Sequence, residues 1–522
     1  MGYGLILAAM VELRPALPID ETRYLDVAWE MHLSGDWLHL TRNFELYTHK
    51  PPLLFWLINL VWAVTGVSDF AARLVGPAFA AGSVWAVARL ATRLWPEQAD
   101  CAARAAMALA AFTAFSLYGG ATMFDTMLTL AVVLGAGLLW SIGQGEGTAR
   151  SWIGFGAALA LGTYAKGPVI LVHLLPILAT IRYWAPAPPR WAALVNGLML
   201  ALVSALVLVA LWLVPALLSG TAAYRHELLW TQSAARVAGG MAHDRPWWFL
   251  IALLPAILFP WGWSPRFWGR ARELVRADHA SRMLAIWAVS ALALFSFIAS
   301  KQAHYLLPEL PAMALLIARA ASPGTGQSEA PGWTPGGMSM ALPLAAIAGF
   351  AVLAAAGYLP LRLDLPKGVG APDIRADLIV FGATCLALAA LAGVWRRFWS
   401  VALAGIGLAV AGLVLLARIG LMQGYDQVAI AARLHDAAPK GIAIYAMTYN
   451  AEFNFAARSS EPVATPHNAA DLSAWARVHP AGVIVAPVAY ADFSVGPDTV
   501  FHFNQTELGM WNLSSGQLRL PE

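Results

Sequence analysis

Apolar runs of spanning length recur along this chain from about residue 70 to about residue 422, against the ~20 residues a bilayer requires. This recurrence constrains the fold more than any motif. In lipid every backbone polar group must be satisfied inside a helix or a closed barrel, and runs of this length specify helices. Of 522 residues, 59% are hydrophobic and only 12% charged, with 23 Trp, which is the composition of a polytopic membrane protein. The spanning-length criterion predicts about thirteen transmembrane helices. The first is the weakest, because only Met1 to Val11 is apolar before Glu12; either it is short or the natural start lies upstream. A cleaved signal peptide fits poorly, since no charged region precedes the apolar one.

The net charge of +3 is small for this length and gives no reason to expect nucleic acid as a partner. Its distribution is more informative. Basic residues gather in alternate loops: Arg89, Arg93 and Arg104; Arg150; Arg182 and Arg190; Arg266, Arg270, Arg272, Arg276 and Arg282; Arg396 and Arg397. The positive-inside rule turns these loops to the cytoplasm, and the others to the far side together with everything after the last span. Cys101 falls in a cytoplasmic loop and Cys385 inside a span, so the pair is neither a disulfide nor a metal site.

The expected fold is therefore an all-α membrane domain over 1–422, followed at 423–522 by a small outer α/β domain. The short β-like runs Ile442–Met447, Val483–Pro487 and Val500–Phe503 alternate there with helical or turn segments such as Ala470–Val478. Within the membrane domain, 13–51 is a long outer loop, 224–247 a second outer loop, and 321–338 a Gly/Pro/Ser-rich cytoplasmic linker. In the first loop, Asp20 can cap a helix beginning at Glu21. Tyr24, Val27, Ala28 and Met31 then share one face until Gly35 stops it, as in an amphipathic helix lying on a membrane surface. A further helix is expected from Lys50, with Pro51 at its first position.

The unusual polar residues all fall on the outer side: Asp20, Glu21, His49, Lys50, Asp125, Lys166, the 224–247 cluster, Lys301, His304 and Tyr305. Ionisable groups at membrane depth are expensive, so several converging from separate helices suggest a site. Asp20 reads both as a helix cap and as a carboxylate kept ionised to position an acceptor. Glu21 reads first as a first-turn acid favoured by the helix dipole. Lys50, directly before a helix start, joins an ammonium to free backbone N–H groups, which is an anion site. Lys166 before Gly167-Pro168 repeats that logic. Asp125, at the outer start of a span, is either a cap or functional. Lys301, His304 and Tyr305 fall on one helical face at i, i+3 and i+4 spacing. In the second outer loop Arg236 and His226 stand out. No metal signature is present: His226 and His243 lack the HExxH spacing and Cys partners. A divalent metal is thus unsupported, and no cofactor is expected.

Asp20-Glu21-Thr22-Arg23-Tyr24, Lys50-Pro51-Pro52-Leu53-Leu54-Phe55-Trp56, Asp125, Lys166-Gly167-Pro168, and Ser300-Lys301 with Tyr305-Leu306-Leu307-Pro308 occur in this order. The pattern resembles the bacterial GT-C glycosyltransferases of the aminoarabinose-lipid A transferase and protein O-mannosyltransferase superfamily. The resemblance implies a polyprenyl (undecaprenyl) phosphate sugar donor used on the periplasmic face of the inner membrane without nucleotide. It implies Asp20 as the main catalytic carboxylate, with Asp125 second and Glu21 beside it. Lys50 would contact the donor phosphate, helped by Arg236, Lys301, Tyr305 and Lys166, and His49, Tyr24, His226 and His304 would contact the acceptor or the sugar. Many relatives carry Glu directly before the Lys-Pro-Pro motif; here it is His49, a departure that argues against an acid or metal at that position. The competing class is a transporter or flippase of a lipid-linked sugar, which would show internal repeats and charge on both faces.

Overall fold

The computed structural model describes residues 2–231, 245–322, 338–359, 374–395, 397–515 and 518. Among these, seven helical segments are long and apolar enough to cross a membrane: Asp69–Leu94, Phe124–Glu146, Ala149–Ala179, Trp191–Ser219, His279–Ser296, Ile374–Trp395 and Phe398–Arg418. Ala99–Ala111 and Thr113–Gly119 make an eighth if their 71° bend is read as one broken span. Gly2–Glu12, Leu53–Thr65 and Ser339–Ala355 are shorter apolar helices. The expected linker falls mostly on residues outside those described.

Proline and glycine explain most breaks in the apolar helices. The helices Ala149–Lys166 and Ile170–Ala179 run together through a 3₁₀ turn at Gly167–Val169; Gly167 takes φ 73°, a value only glycine adopts freely. Phe249–Ile257 is cut short around Pro255, and Pro260 follows, because proline removes a helical N–H and crowds the preceding turn. The segment carrying His304 and Tyr305 begins as a 3₁₀ stretch, Ala303–Glu309, and becomes α-helical only at Leu310–Ala321. The membrane helices share a continuous buried core around Phe124–Ser141, closed at places by bare backbone. A Cβ on Gly405 would lie 2.0 Å from the Ala111 carbonyl oxygen, the close approach that small residues permit between membrane helices.

The first loop corrects one expectation. The helix Asp20–Ser34 does end at Gly35, whose left-handed backbone donates its N–H to the Met31 carbonyl at 3.0 Å, and Tyr24, Val27, Ala28 and Met31 are buried. It does not lie on a surface with its polar face in water, because Asp26 and Glu30 on that face are buried too. They serve a two-residue hairpin, β1 (Thr41–Arg42) against β2 (Glu45–Leu46). Its turn residues Asn43 and Phe44 both have positive φ, as a type I′ turn requires. The Asn43 N–H donates to Asp26 at 3.1 Å, and the Phe44 N–H to both Glu30 oxygens at 2.9 Å.

Beyond the last long helix, strands β3 (Ile442–Ile444), β4 (Val483–Pro487), β5 (Thr499–Phe503) and β6 (Thr506–Asn512) form one sheet in the order β3-β4-β6-β5. β3 and β4 are parallel; β4–β6 and β5–β6 are antiparallel. Helices Val428–Ala437 and Ala469–Val478 flank it. Strand β6 was not foreseen, because its polar ends and Gly509 hide the alternation. This unit sits on the first loop. Asn43 exchanges bonds with Val463 (2.8 and 2.9 Å), the Trp29 indole donates to the Ser459 carbonyl at 2.8 Å, and Trp62 stacks on Phe455 at 5.4 Å.

A one-sided charged cavity as candidate active site

The Phe124 helix, the Lys166 turn, the first-loop helix and the 301–305 segment bring their outer ends around a cavity of about 610 Å³. Asp20, Tyr24, Lys50, Asp125, Lys166, Lys301, His304 and Tyr305, all singled out from sequence, line it. Its lining carries five basic side chains (Arg23, Lys50, Lys166, Arg245, Lys301) and two carboxylates (Asp20, Asp125).

Both carboxylates already hold cations. Asp125, 2% exposed, accepts from Lys166 at 2.6 Å, with His304 3.9 Å from its other oxygen. Lys166 also lies 4.6 Å from the centre of the Tyr305 ring, a cation–π contact. Burial pushes His304 below its ordinary pKa despite the nearby Asp125. Asp20 is paired with Arg23 and accepts the Tyr24 hydroxyl at 2.9 Å. Lys301, 2% exposed, spends its ammonium on the carbonyls of Arg245 (2.9 Å) and Pro246 (3.3 Å), tying the 301–305 segment to the second outer loop.

Lys50 differs from these. Its ammonium lies 5.6 Å from the centre of the Phe124 ring, and among the described residues no hydrogen bond or ion pair engages it. Burial, and then repulsion from Lys166, lower it to about 8. A partly buried cation in a cation-rich pocket is a receptor for an anion.

Several sequence readings need correction. Asp20 does not cap its helix: the helix starts at Asp20 itself, the N-cap is Ile19, and the carboxylate turns to Arg23 and Tyr24 instead. Glu21 faces away from the cavity. Its carboxylate accepts both Arg14 nitrogens, the Leu17 N–H at 2.9 Å and the Thr122 N–H at 2.7 Å, and these partners hold its pKa down against the opposing effect of burial. Glu21 thus staples the first loop to the 120–122 turn. The helix after Lys50 begins at Leu53 with Pro52 as its N-cap, so Pro51 precedes it. Lys301 lies in extended chain before a 3₁₀ segment, so a shared wall, and not α-helical spacing, joins it to His304 and Tyr305. His49 is exposed beside Tyr47, and His226 is exposed at the end of helix Ala222–His226; neither lines the cavity. Arg236 and His243 lie outside the described residues.

Sequence reasoning missed Arg23, which stood inside the quoted motif, and Arg245, which was lost among its polar neighbours. It also missed Asn450, a wall residue from the carboxy-terminal unit that accepts from Arg42 at 3.3 Å. No signal pointed to Asn450. Among the described residues no group of three or more His, Cys, Asp or Glu could hold a metal ion.

Fold and cavity together define a polytopic helical membrane protein with one basic, partly enclosed polar cavity at the ends of its helices. Residues 49–218 match the family model described as dolichyl-phosphate-mannose-protein mannosyltransferase. The undecaprenyl phosphate-alpha-4-amino-4-deoxy-L-arabinose arabinosyl transferase of Pseudomonas aeruginosa (strain UCBPP-PA14) is 33% identical over 313 residues, 58% of this chain and 55% of that protein. Its counterpart in Enterobacter sp. (strain 638) is 28% identical over 333 residues, 62% and 58% of the two chains. The chain thus spans a little over half the length of these curated relatives. In three dimensions it superposes on the crystal structure of ArnT from Cupriavidus metallidurans bound to undecaprenyl phosphate, with a TM-score of 0.75 at 19% identity, covering 98% of this chain and 96% of that one. The chain is thus similar over part of its length to these arabinosyl transferases and to the mannosyltransferase family model, and it shares the fold of the ArnT structure.

Proposed function

We propose that this protein is an integral inner-membrane glycosyltransferase that moves a hexosyl or pentosyl group from a polyprenyl phosphate donor to a periplasmic acceptor. That acceptor is lipid A, another glycolipid or a protein hydroxyl. The observation that carries the reading is Lys50, a sheltered ammonium without an ion pair among the described residues, in a cavity with five cations to two carboxylates. The relatives' names, which specify an undecaprenyl phosphate sugar, support it.

The chemistry follows from charge. Breaking the bond between the anomeric carbon and the phosphate oxygen leaves polyprenyl phosphate with one more negative charge, and fixed cations stabilise that charge as it develops. Lys50 meets the phosphate, helped by Arg23, Arg245, Lys166 and Tyr305 from the same cavity lining. Asp20, whose side chain is 45% exposed toward the cavity mouth, orients the incoming acceptor and takes its proton where it is a hydroxyl. Asp125 holds Lys166 and His304 in place against the sugar. A single displacement inverts the anomeric centre.

The same reading gives the frame. On this reading the expected thirteen crossings are made by the seven or eight long spans together with the shorter apolar helices and proline-broken segments. Residues 1–422 form the catalytic domain and 423–522 a periplasmic α/β domain, with the basic loops in the cytoplasm. The test is transfer of radiolabelled sugar from polyprenyl phosphate donors into the lipid and protein fractions of membranes. Wild type is compared with Asp20→Asn and Lys50→Ala, with folding checked by monodisperse elution. Label in one fraction, lost in both folded variants, supports the transferase and identifies the acceptor class. No donor consumed across a broad panel overturns it and favours the transporter reading.

A further inference from the structure

A second cavity, of about 370 Å³, lies between the Val75–Leu94 and Phe124–Ser141 helices, far from the first. Gly137 on its wall is twelve residues beyond Asp125, about 18 Å down the helix at 1.5 Å per residue. The opposite wall is the last two turns of the Val75–Leu94 helix, where Arg89 and Arg93 stand one turn apart on one face. Both are exposed, and among the described residues neither makes an ion pair. The Arg89 guanidinium lies 5.4 Å from the centre of the Trp85 ring. Below the arginines the groove is apolar, walled by Leu90, Val133 and Leu134, with Trp85 61% and Leu134 41% exposed. Arg89 and Arg93 belong to a basic loop, so this end of the bundle is the cytoplasmic one.

An aqueous groove would not carry an indole and a leucine this bare, and a purely acyl-lined groove would not place two unneutralised guanidiniums at its rim. The combination matches an amphiphile with an anionic head and a hydrocarbon tail. We propose that this groove binds one anionic phospholipid of the cytoplasmic leaflet, its phosphodiester between Arg89 and Arg93 and an acyl chain along Leu90, Val133 and Leu134. The guanidinium fork matches phosphate oxygens in pairs, and basic pockets between membrane helices on the cytoplasmic side are the usual seats of such headgroups. The site rests on the orientation of the helices and is independent of the transferase reading.

The experiment is native mass spectrometry of the purified full chain titrated with phosphatidylglycerol or with phosphatidylcholine of the same acyl chains. Wild type is compared with Arg89→Gln/Arg93→Gln, and with Arg150→Gln/Arg266→Gln as a control that removes the same charge elsewhere on that face. Each arginine near an anionic headgroup contributes about five-fold to affinity, so the groove variant loses about thirty-fold for phosphatidylglycerol. The control stays near wild type, and phosphatidylcholine binds weakly to all three. Equal loss in the control would mean diffuse attraction, and equal binding of both lipids would mean an acyl groove only. Displacement of the bound lipid by soluble glycerol phosphate would mean a free-phosphate site. Each of these three results overturns the proposal.

Discussion

Glu21→Gln separates a structural carboxylate from a catalytic one. Glu21 and Arg14 have side chains only 3% and 5% exposed. Glutamine keeps the shape but only one acceptor oxygen, so one of the Leu17 and Thr122 amides, which bond different carboxylate oxygens, loses its partner, and a buried guanidinium is left without a counter-charge. Removing one partner of a buried pair costs about 3–5 kcal/mol. Arg14→Met combined with Glu21→Gln removes that stranded charge. What remains lost is the 2.8 Å bond from Arg14 to the Gly120 carbonyl and one of the two amide bonds to residue 21, each worth about 1–3 kcal/mol as an unsatisfied buried group. The double variant is therefore more stable than Glu21→Gln alone, and the two effects couple by at least about 2 kcal/mol. The assay is equilibrium unfolding in mixed micelles followed by tryptophan fluorescence, with sugar transfer measured on the same samples. A Glu21→Gln protein that unfolds like wild type yet transfers no sugar refutes the reasoning and returns Glu21 to the chemistry.

Three further outcomes are expected. Lys50 loses its proton at about 8 in the empty cavity, so affinity for polyprenyl phosphate falls as pH rises through that value, by up to about ten-fold per unit. Lys50→Arg flattens this profile and Lys50→Ala lowers turnover by about 10²–10³, both read from donor binding and transfer between pH 6.5 and 9.5. Burial, and for Asp26 also the proximity of Glu30, raise both carboxyl pKa values above their ordinary ones. The folded state thus holds protons that the unfolded chain releases, and stability declines as pH rises from the ordinary carboxylate range toward the raised values. Asp26→Asn weakens that decline, and thermal unfolding from pH 4 to 8 with the same slope in variant and wild type would count against it. Gly405→Val drives a side chain into the Ala111 carbonyl and costs about 1–3 kcal/mol or more by overpacking, visible as a lower unfolding midpoint.

The membrane class and the long apolar helices were legible because lipid admits so few backbone solutions that hydropathy nearly dictates them. The Asp20-to-Lys50 stretch was legible because charged residues at helix ends are rare there. What escaped reading depended on direction or distance. Asp20 and Glu21 are neighbours in sequence but about 100° apart around a helix, and only the position of Arg14 decides which one meets the cavity. The 301–305 residues look helical until Pro308 and the carbonyls that hold Lys301 impose another path. Asp26 and Glu30 look solvated, since nothing local announces that a hairpin turn will bring its two free amides onto them. Asn450 reaches the cavity across a contact to Arg42 that spans 408 positions, beyond any periodicity.

That distant contact also orders events during synthesis. The cavity wall bearing Asn450 belongs to the last fifth of the chain, so the ribosome finishes the membrane helices while the pocket still lacks one side. Nascent protein can therefore insert and pack before its charged cavity is enclosed, and a chain that stops early leaves that cavity open where Asn450 would stand.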